Sequence, residues 1–142
     1  MFDDLTLVDL LNRASRCAEQ IFERHTEGFD LTARQYVVLR VVSKSEGLSQ
    51  AAIVAVTGID RFTLAELSRR LAKKGLLQRH RNREDARAFE VRLTAAGRTM
   101  TKSIAAGALA SEDMIYAAIG TMEREAFRCA LIELILGHEA TQ

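Results

Sequence analysis

The stretch from Leu48 to Thr94 constrains the fold of this 142-residue chain more than any other part. It holds two apolar helical patterns, and each follows a residue type that is favoured at a helix N-cap, Ser49 and Asp60. The turn between the two patterns contains Gly58, which adopts a positive φ without steric cost. The stretch therefore predicts a short helix, a tight turn and a second, longer helix.

A hairpin with a charged tip is predicted after the second helix. Residues 77–81 and 88–93 have the character of strands, and the second of these alternates apolar and polar side chains. Residues 82–87 between them are polar and charged, as is common at a hairpin tip. Two helices joined by a tight turn and followed by a hairpin predict a winged helix-turn-helix, in which the second helix enters a groove of DNA.

Long amphipathic segments flank this unit on both sides. Residues 5–28 and 95–138 repeat apolar side chains at three- and four-residue steps, and the chain contains no proline that would break a helix. We expect one domain over residues 1–142, mainly α-helical with a small β-hairpin wing. Residues 32–94 form its winged helix-turn-helix. The apolar faces of the flanking segments require a partner, so we expect them to contact each other and a second copy of the chain.

Two further details of the helices follow from the sequence. Thr32 and Gln35 have the spacing of a capping box, so a helix is predicted to begin there. That helix is apolar around most of its circumference and should therefore lie at the centre of the fold. The long helix that follows Thr94 is expected to loosen near Gly107.

Positive charge is concentrated in one segment, although the net charge of the whole chain is only +1. Residues 61–87 contain 9 Lys and Arg against 3 Asp and Glu, whereas residues 1–60 contain 6 against 9 and residues 88–142 contain 5 against 7. A local excess of this kind suits a polyanion such as DNA, but a solvated basic helix face has the same composition. The hairpin that follows favours the DNA interpretation.

Eight side chains of the second helix are candidates for contacts with DNA. Side chains near the start of such a helix read base edges in the major groove, whereas phosphate contacts only position the protein. Arg61 suits guanine or a phosphate, Thr63 suits a thymine methyl or a phosphate, and Glu66 suits the amino group of cytosine. Phe62 either meets a thymine methyl or packs inward. The cations that suit phosphates are Arg69, Arg70, Lys73 and Lys74.

The hairpin tip supplies further candidates. Arg83 and Arg87 have the charge for the narrow, negative minor groove. Asp85 precedes Arg87 by two residues, and phosphates would repel it if it pointed outward. We therefore expect Asp85 to fold back, pair with a neighbouring arginine and fix the direction of Arg87.

Six runs of sequence together point to a known family. The most specific is the Asp-x-Arg of the wing followed by Leu-Thr-x-x-Gly, and the runs cover residues 31–39, 47–50, 57–61, 74–77, 85–87 and 93–97. With the long flanking helices, they resemble the MarR family of bacterial transcription regulators. The resemblance implies a homodimer joined by the first and last helices, a palindromic operator, and control, mostly repression, that a small molecule or thiol oxidation relieves. It also implies that Arg87 enters the minor groove and that Asp85 steadies it.

The same resemblance implies an effector site. Many members of the family bind aromatic carboxylates, phenols or acyl-CoA conjugates between the dimer helices and the winged unit. On that basis Arg16 is a candidate contact for an anion and Tyr36 a candidate lining residue. Alternatively, Tyr36 belongs to the core, and Arg16 to the surface or the dimer interface.

The two cysteines allow a second kind of regulation. One branch of the family keeps a reactive cysteine in its first helix, which makes Cys17 a candidate redox sensor. However, fewer residues separate Cys17 from Tyr36 than separate the reactive cysteine from the corresponding tyrosine in that branch. The default for Cys17 and Cys129 is two buried free thiols, because free cysteine is among the most buried residue types.

Other function classes find little support in the sequence. It contains no Gly-x-Ser-x-Gly, no phosphate-binding glycine loop and no His-Glu-x-x-His, so we expect neither an enzyme nor a cofactor or metal site. No apolar run approaches the roughly 20 residues that span a bilayer, and the first residues are acidic, so we expect a cytosolic protein without membrane contact. The remaining rival is a dimeric interaction module that no longer binds DNA, which the arginines of residues 61–87 disfavour.

Overall fold

The computed structural model describes residues 1–81, 83–84, 89–120 and 122–142. Within these ranges most residues are helical, and three short strands form one small sheet. The elements in chain order are α1 (Leu7–His25), α2 (Ala33–Lys44), β1 (Leu48–Ser49), α3 (Gln50–Thr57), α4 (Arg61–Lys73), β2 (Leu77–Arg81), β3 (Phe89–Leu93), α5 (Ala95–Ile119) and α6 (Arg124–Glu139). The pair α3–α4 followed by the hairpin β2–β3 confirms the predicted winged helix-turn-helix.

Side-chain caps begin three of the helices at the predicted positions. The hydroxyl of Thr32 accepts the backbone N–H of Gln35, and the side chain of Gln35 accepts the backbone N–H of Thr32, so the predicted capping box is present. Ser49 and Asp60 each accept the backbone N–H three residues further on, and they begin α3 and α4. Gly58 ends α3 with a φ of 68°, as the predicted turn requires.

The hydrophobic core surrounds α2. Its residues Val38, Leu39 and Val42 have no exposed surface. Fully buried aliphatic side chains from α3, α4, β3 and α5 accompany them, namely Ile53, Leu64, Leu71, Val91 and Ile104. The prediction that the helix after Thr32 is central is therefore confirmed.

The sheet is antiparallel, with the strand order β1-β3-β2. β2 and β3 form the predicted hairpin, in which Leu77 lies opposite Leu93. β1 consists of only two residues and places Leu48 opposite Val91 on the other side of β3. This third strand is absent from the expectations drawn from the sequence. It ties the start of α3 to the hairpin.

α5 runs without interruption past Gly107, so the expected loosening there is wrong. Gly107 instead allows a close crossing, because a Cβ at this position would lie 2.3 Å from the carbonyl oxygen of His25. A Cβ at Gly97 would lie 2.1 Å from the carbonyl oxygen of Leu76. The two glycines let α5 lie directly against the end of α1 and against the segment that enters β2.

The first and last helices leave much of their apolar surface uncovered. α1 buries only Phe22, and α6 has no buried residue. The large apolar side chains that these two helices expose are Leu7, Val8, Leu10, Leu11, Leu131, Ile132, Leu134, Ile135 and Leu136. Both helices line an apolar groove of about 780 Å³, whose third wall is α5. We refer to this feature as the terminal groove.

The two cysteines lie on these helices. Cys17 lines the terminal groove, Cys129 lies in α6, and both are exposed. The expectation of two buried thiols is therefore wrong for the single chain. The reason is that helices of the same chain do not cover the surfaces that carry the two residues.

Candidate nucleic-acid interface

α4 has one buried face and one exposed face. Leu64, Ser68 and Leu71 point into the core. The opposite side carries four side chains at three- and four-residue steps, which places them in one stripe, namely Phe62, Glu66, Arg69 and Lys73. Arg61 and Arg70 flank this stripe and are exposed. We call these six residues the α4 face, and all six belong to the contact residues that the sequence predicts.

Asp60 holds the first turn of α4 in place. Its carboxylate accepts the backbone N–H of Thr63 at 2.9 Å and the hydroxyl of Thr63 at 2.6 Å. These hydrogen bonds hold the pKa of Asp60 below its ordinary value. Because the hydroxyl proton of Thr63 is engaged in the cap, the methyl group of Thr63 is the part best suited to a thymine methyl.

Phe62 does not pack inward. The residue is 89% exposed at the start of α4, which decides between the two alternatives that the sequence leaves open. A single exposed apolar side chain is common on a protein surface, so the position of Phe62 on α4 is more informative than its exposure. Its position next to Arg61 suits contact with a thymine methyl in the major groove.

Glu66 binds two arginines of its own helix. Its carboxylate accepts Nε and Nη2 of Arg69 at 3.0 and 2.9 Å, and Nε of Arg70 at 2.8 Å. Hydrogen bonds from Arg69 and then from Arg70 lower the pKa of Glu66 to about 2. The spacings of three and four residues are those at which helical side chains meet, so this cluster could have been predicted from the sequence.

Lys74 also forms an ion pair within the protein, with Asp30. Its Nζ lies 3.3 Å from the carboxylate of Asp30 and also contacts the backbone carbonyl of Asp30. Asp30 lies in the loop between α1 and α2 and has a φ of 52°. The contact therefore joins the end of α4 to that loop. By contrast, Lys73 is exposed on the α4 face, so it is the better candidate for a phosphate.

The hairpin carries a second basic surface. The guanidinium of Arg79 lies over the ring of Phe89 at 4.4 Å. This contact joins the middle of β2 to the first residue of β3. Arg83 is exposed, and it lines a polar cleft with five other residues, namely His80, Arg81, Glu84, Glu90 and Arg92. Asp85 and Arg87, the other two predicted wing residues, lie outside the residues that the structure describes.

Two cavities lie between the winged unit and the helices α1 and α5. One of about 500 Å³ is an open cleft lined by α1, α2, α5 and the turn before α4, and both Asp60 and Thr63 line it. Arg34 lines the same cavity and donates from Nε to Glu19 at 3.1 Å. The other, of about 410 Å³, lies beside it and is lined by Tyr36.

The two residues that were predicted to meet an effector are not brought together in these cavities. Tyr36 is half-buried and stacks on Phe22, with ring centroids 5.4 Å apart. Arg16 is exposed and lines neither of the two cavities. Arg34 was not anticipated as a contact, because nothing in its sequence context separates it from a surface arginine.

Two kinds of structural feature are absent from the described ranges. No group of three or more His, Cys, Asp or Glu side chains there is arranged to hold a metal ion. No helix there has both the length and the apolar character needed to cross a membrane.

The sequence of this chain is similar to those of known transcriptional regulators. A model of the MarR family matches residues 31–89. The transcriptional regulator HosA of Escherichia coli O127:H6 is 34% identical over 93 residues, which cover 62% of this chain and 69% of HosA. The residues that match the family model include the helix-turn-helix and β2, and they end at the first residue of β3.

Solved structures share the fold over nearly the whole chain. BpsR of Bordetella bronchiseptica, whose DNA binding is regulated by 6-hydroxynicotinic acid, is 27% identical with a TM-score of 0.79, over 98% of this chain and 96% of BpsR. The regulator MosR of M. tuberculosis, solved in complex with DNA, has a TM-score of 0.86 at 24% identity, over 97% of this chain and 99% of MosR.

Proposed function

Because this chain belongs to the MarR family of transcriptional regulators, which bind DNA, we propose that it reads a specific sequence of double-stranded DNA. We propose further that it acts as a homodimer on a palindromic operator, that it represses transcription, and that a small molecule relieves this repression. In this proposal residues 32–94 contact DNA, residues 5–28 and 95–138 form the dimer, and no cofactor takes part.

The observation that carries the proposal is the exposed α4 face. It combines an exposed aromatic ring with cations, and it lies opposite the buried side of a helix that a tight turn presents outward. The major groove admits one such helix, and the side chains at its start then meet the base edges. In this arrangement Arg61, Phe62 and Thr63 read bases, and Lys73 contacts a phosphate.

The wing supplies a second contact in this proposal. Arg83 is exposed on the hairpin beside further basic residues, which suits the negative minor groove. The family resemblance adds Arg87 as the residue that enters this groove and Asp85 as the residue that steadies it. A minor-groove contact next to the major-groove helix would fix the register of the protein on the duplex.

The dimer follows from the uncovered surface of the terminal helices. α6 exposes five large aliphatic side chains and buries none of its residues, so it gains little from folding in the single chain. A second copy would cover these side chains and the terminal groove, and burial of apolar surface is the main source of association energy. A two-fold dimer in turn requires an operator whose half-sites are related by the same symmetry.

We place the effector in the cavity of about 500 Å³ beside the start of α4. A ligand there would contact Asp60 and Thr63, whose hydrogen bonds cap α4, so binding would act directly on the DNA-contacting helix. Arg34 would exchange its contact with Glu19 for the carboxylate of an aromatic acid or a CoA conjugate. Tyr36, in the neighbouring cavity, is the proposed contact for an aromatic ring. The regulation of BpsR by an aromatic acid supports this ligand class.

Titration against DNA tests the proposed function. The native protein is titrated into a duplex that contains the region upstream of its own gene and into a scrambled duplex of the same composition, at two salt concentrations. We expect tighter binding to the first duplex by at least about 10³-fold. Affinity for both should fall steeply with salt, because bound phosphates release counterions. Binding that is equal for the two duplexes, or absent at low salt, contradicts the proposal.

A thermal-shift screen tests the effector. Aromatic acids, their CoA thioesters and hydrogen peroxide are each added to the native protein, since a ligand that binds only the folded state raises the melting temperature. We expect an acid or a thioester to raise it in the native protein and in Arg16→Ala, but not in Arg34→Ala. A response confined to peroxide that disappears in Cys17→Ser would replace this ligand class with the thiol-based alternative.

A further inference from the structure

Glu66 is the one acidic residue within α4, and it lies in the middle of the α4 face. A carboxylate beside DNA faces phosphates of the same charge, so it weakens binding unless it meets a hydrogen-bond donor. Cytosine offers only its N4 amino group to the major groove, whereas adenine presents an acceptor next to its amino group. A carboxylate can only accept hydrogen bonds and therefore suits cytosine best.

The contacts of Glu66 give it a second effect on DNA binding. It holds three N–H groups of Arg69 and Arg70 at 2.8–3.0 Å, all on the exposed side of the helix. These are the groups with which arginine binds a phosphate. While they point at Glu66, the two arginines offer less of their charge and fewer of their donors to a passing duplex.

We propose that Glu66 sets the sequence specificity of this protein, by keeping Arg69 and Arg70 from phosphates until a cytosine amino group takes their place on its carboxylate. The inference rests on the proposed function, because it assigns the α4 face to the major groove. On a half-site with cytosine opposite Glu66, the carboxylate turns to the base and the arginines reach the backbone. On other sequences Arg69 and Arg70 stay bound to Glu66, and the complex lacks both the base contact and the phosphate contacts. Specificity arises here from weak binding to the wrong sequences as well as from strong binding to the right one.

The test begins with a selection by the full-length native protein from a pool of randomised duplexes. The selected duplex and a scrambled duplex of the same composition are then titrated with the native protein and with Glu66→Ala at several salt concentrations. Alanine keeps α4 helical because it has the highest helix propensity. We expect Glu66→Ala to bind the scrambled duplex more tightly than the native protein does. The ratio between the two affinities should fall by about fivefold or more, the range for one missing base contact.

The salt dependence reports on the freed arginines. The plot of log K against log salt for the scrambled duplex should become steeper by about 0.9 for each arginine that reaches a phosphate. Adding Arg69→Ala and Arg70→Ala to Glu66→Ala should return the slope to the native value. The selection with the native protein should also show cytosine at one fixed position of each half-site. A second selection, with Glu66→Ala, should show no preference at that position.

Asp4→Ala is the matched control, because it removes the same charge from an exposed residue that lies outside the proposed DNA-contacting and dimer-forming residues. Melting curves of both variants confirm that they are folded. If Glu66→Ala changes the affinity ratio and the salt slope no more than Asp4→Ala does, Glu66 only stabilises the helix and the inference is wrong. A native protein that selects no sequence at all would overturn the proposed function together with the inference.

Discussion

At the scale of single residues, two glycines of α5 are packed against the backbone. Glycine inside a helix ordinarily weakens it relative to alanine. At Gly97 and Gly107 the opposite should hold, because a methyl group would lie 2.1 and 2.3 Å from a carbonyl oxygen of another segment. Backbone atoms cannot move aside as the end of a side chain can, so α5 would have to shift.

We expect Gly97→Ala and Gly107→Ala each to lower the free energy of unfolding by about 1–3 kcal/mol, the usual cost of overpacking. Gly137→Ala is the control, because Gly137 is helical and has no atom near its missing Cβ. That change should raise the free energy of unfolding by about 0.5–1 kcal/mol. Urea unfolding measures all three. An increase for Gly107→Ala would show that α5 does not cross α1 as described.

Glu66 makes the stability of the fold depend on pH. Its pKa is lowered from 4.5 to about 2 in the folded protein, so its contribution is present above pH 4.5 and is lost as the pH falls toward 2. Glu66→Gln cannot ionise. The difference in urea midpoint between the native protein and this variant should therefore shrink from pH 5 to pH 2.5. A difference that stays constant over this range would mean that the contacts with Arg69 and Arg70 add no stability in solution.

Residue-level features differ in how well the sequence predicts them. The caps at Thr32, Ser49 and Asp60 were predictable, because each depends on a hydrogen bond across three residues. The exposure of Cys17 was not, because periodicity shows that a helix face is apolar but not which other element covers it. The contact between Lys74 and Asp30 joins residues 44 apart in sequence, so only the tertiary fold creates it.

At the scale of elements, α4 should separate base contacts from phosphate contacts. Phe62→Ala should weaken binding to the operator by about 1–3 kcal/mol and leave binding to scrambled DNA almost unchanged. Its exposure means that the fold loses little packing. Lys73→Ala should weaken binding to the operator and to scrambled DNA by a similar factor. It should also reduce the slope of log K against log salt by about 1, because the variant neutralises one phosphate fewer.

Lys102→Ala is the control for these titrations, since Lys102 is exposed on α5, away from the α4 face. It should leave the affinities for both duplexes close to the native values. If Phe62→Ala and Lys73→Ala behave like Lys102→Ala, a different face of the protein contacts DNA.

The small sheet contains two strands that the sequence predicts and a third, β1, that it does not. β3 was predictable from its alternation of apolar and polar side chains, and β2 from its place before the polar tip. β1 is a strand only because Leu48 lies opposite Val91, 43 positions further along the chain. Two residues carry no periodicity, so no local pattern indicates such a strand.

At the scale of the whole molecule, α1 and α6 leave most of their apolar surface uncovered in the single chain. We expect the native protein to sediment as a dimer, because α6 exposes Leu134 and Ile135 by 52% and 56%. Leu134→Glu and Ile135→Glu would place charges in the dimer interface, and each should shift the protein toward a single chain in sedimentation velocity.

Val56→Glu is the matched control for these substitutions. Val56 is 70% exposed at the end of α3, away from the terminal groove, so this variant should sediment as the native protein does. Dissociation of all three variants, or of none, would place the interface somewhere other than α6.

Hydroxyl-radical footprinting on the selected duplex tests whether the protein binds DNA as a symmetric dimer. The native protein should protect two stretches, related by a two-fold axis and centred about 10 base pairs apart, because each protomer of the dimer places one α4 in the major groove. The backbone along the minor groove that the wings contact should also be protected. One protected stretch without a symmetry mate, or uniform weak protection along the duplex, would contradict the account.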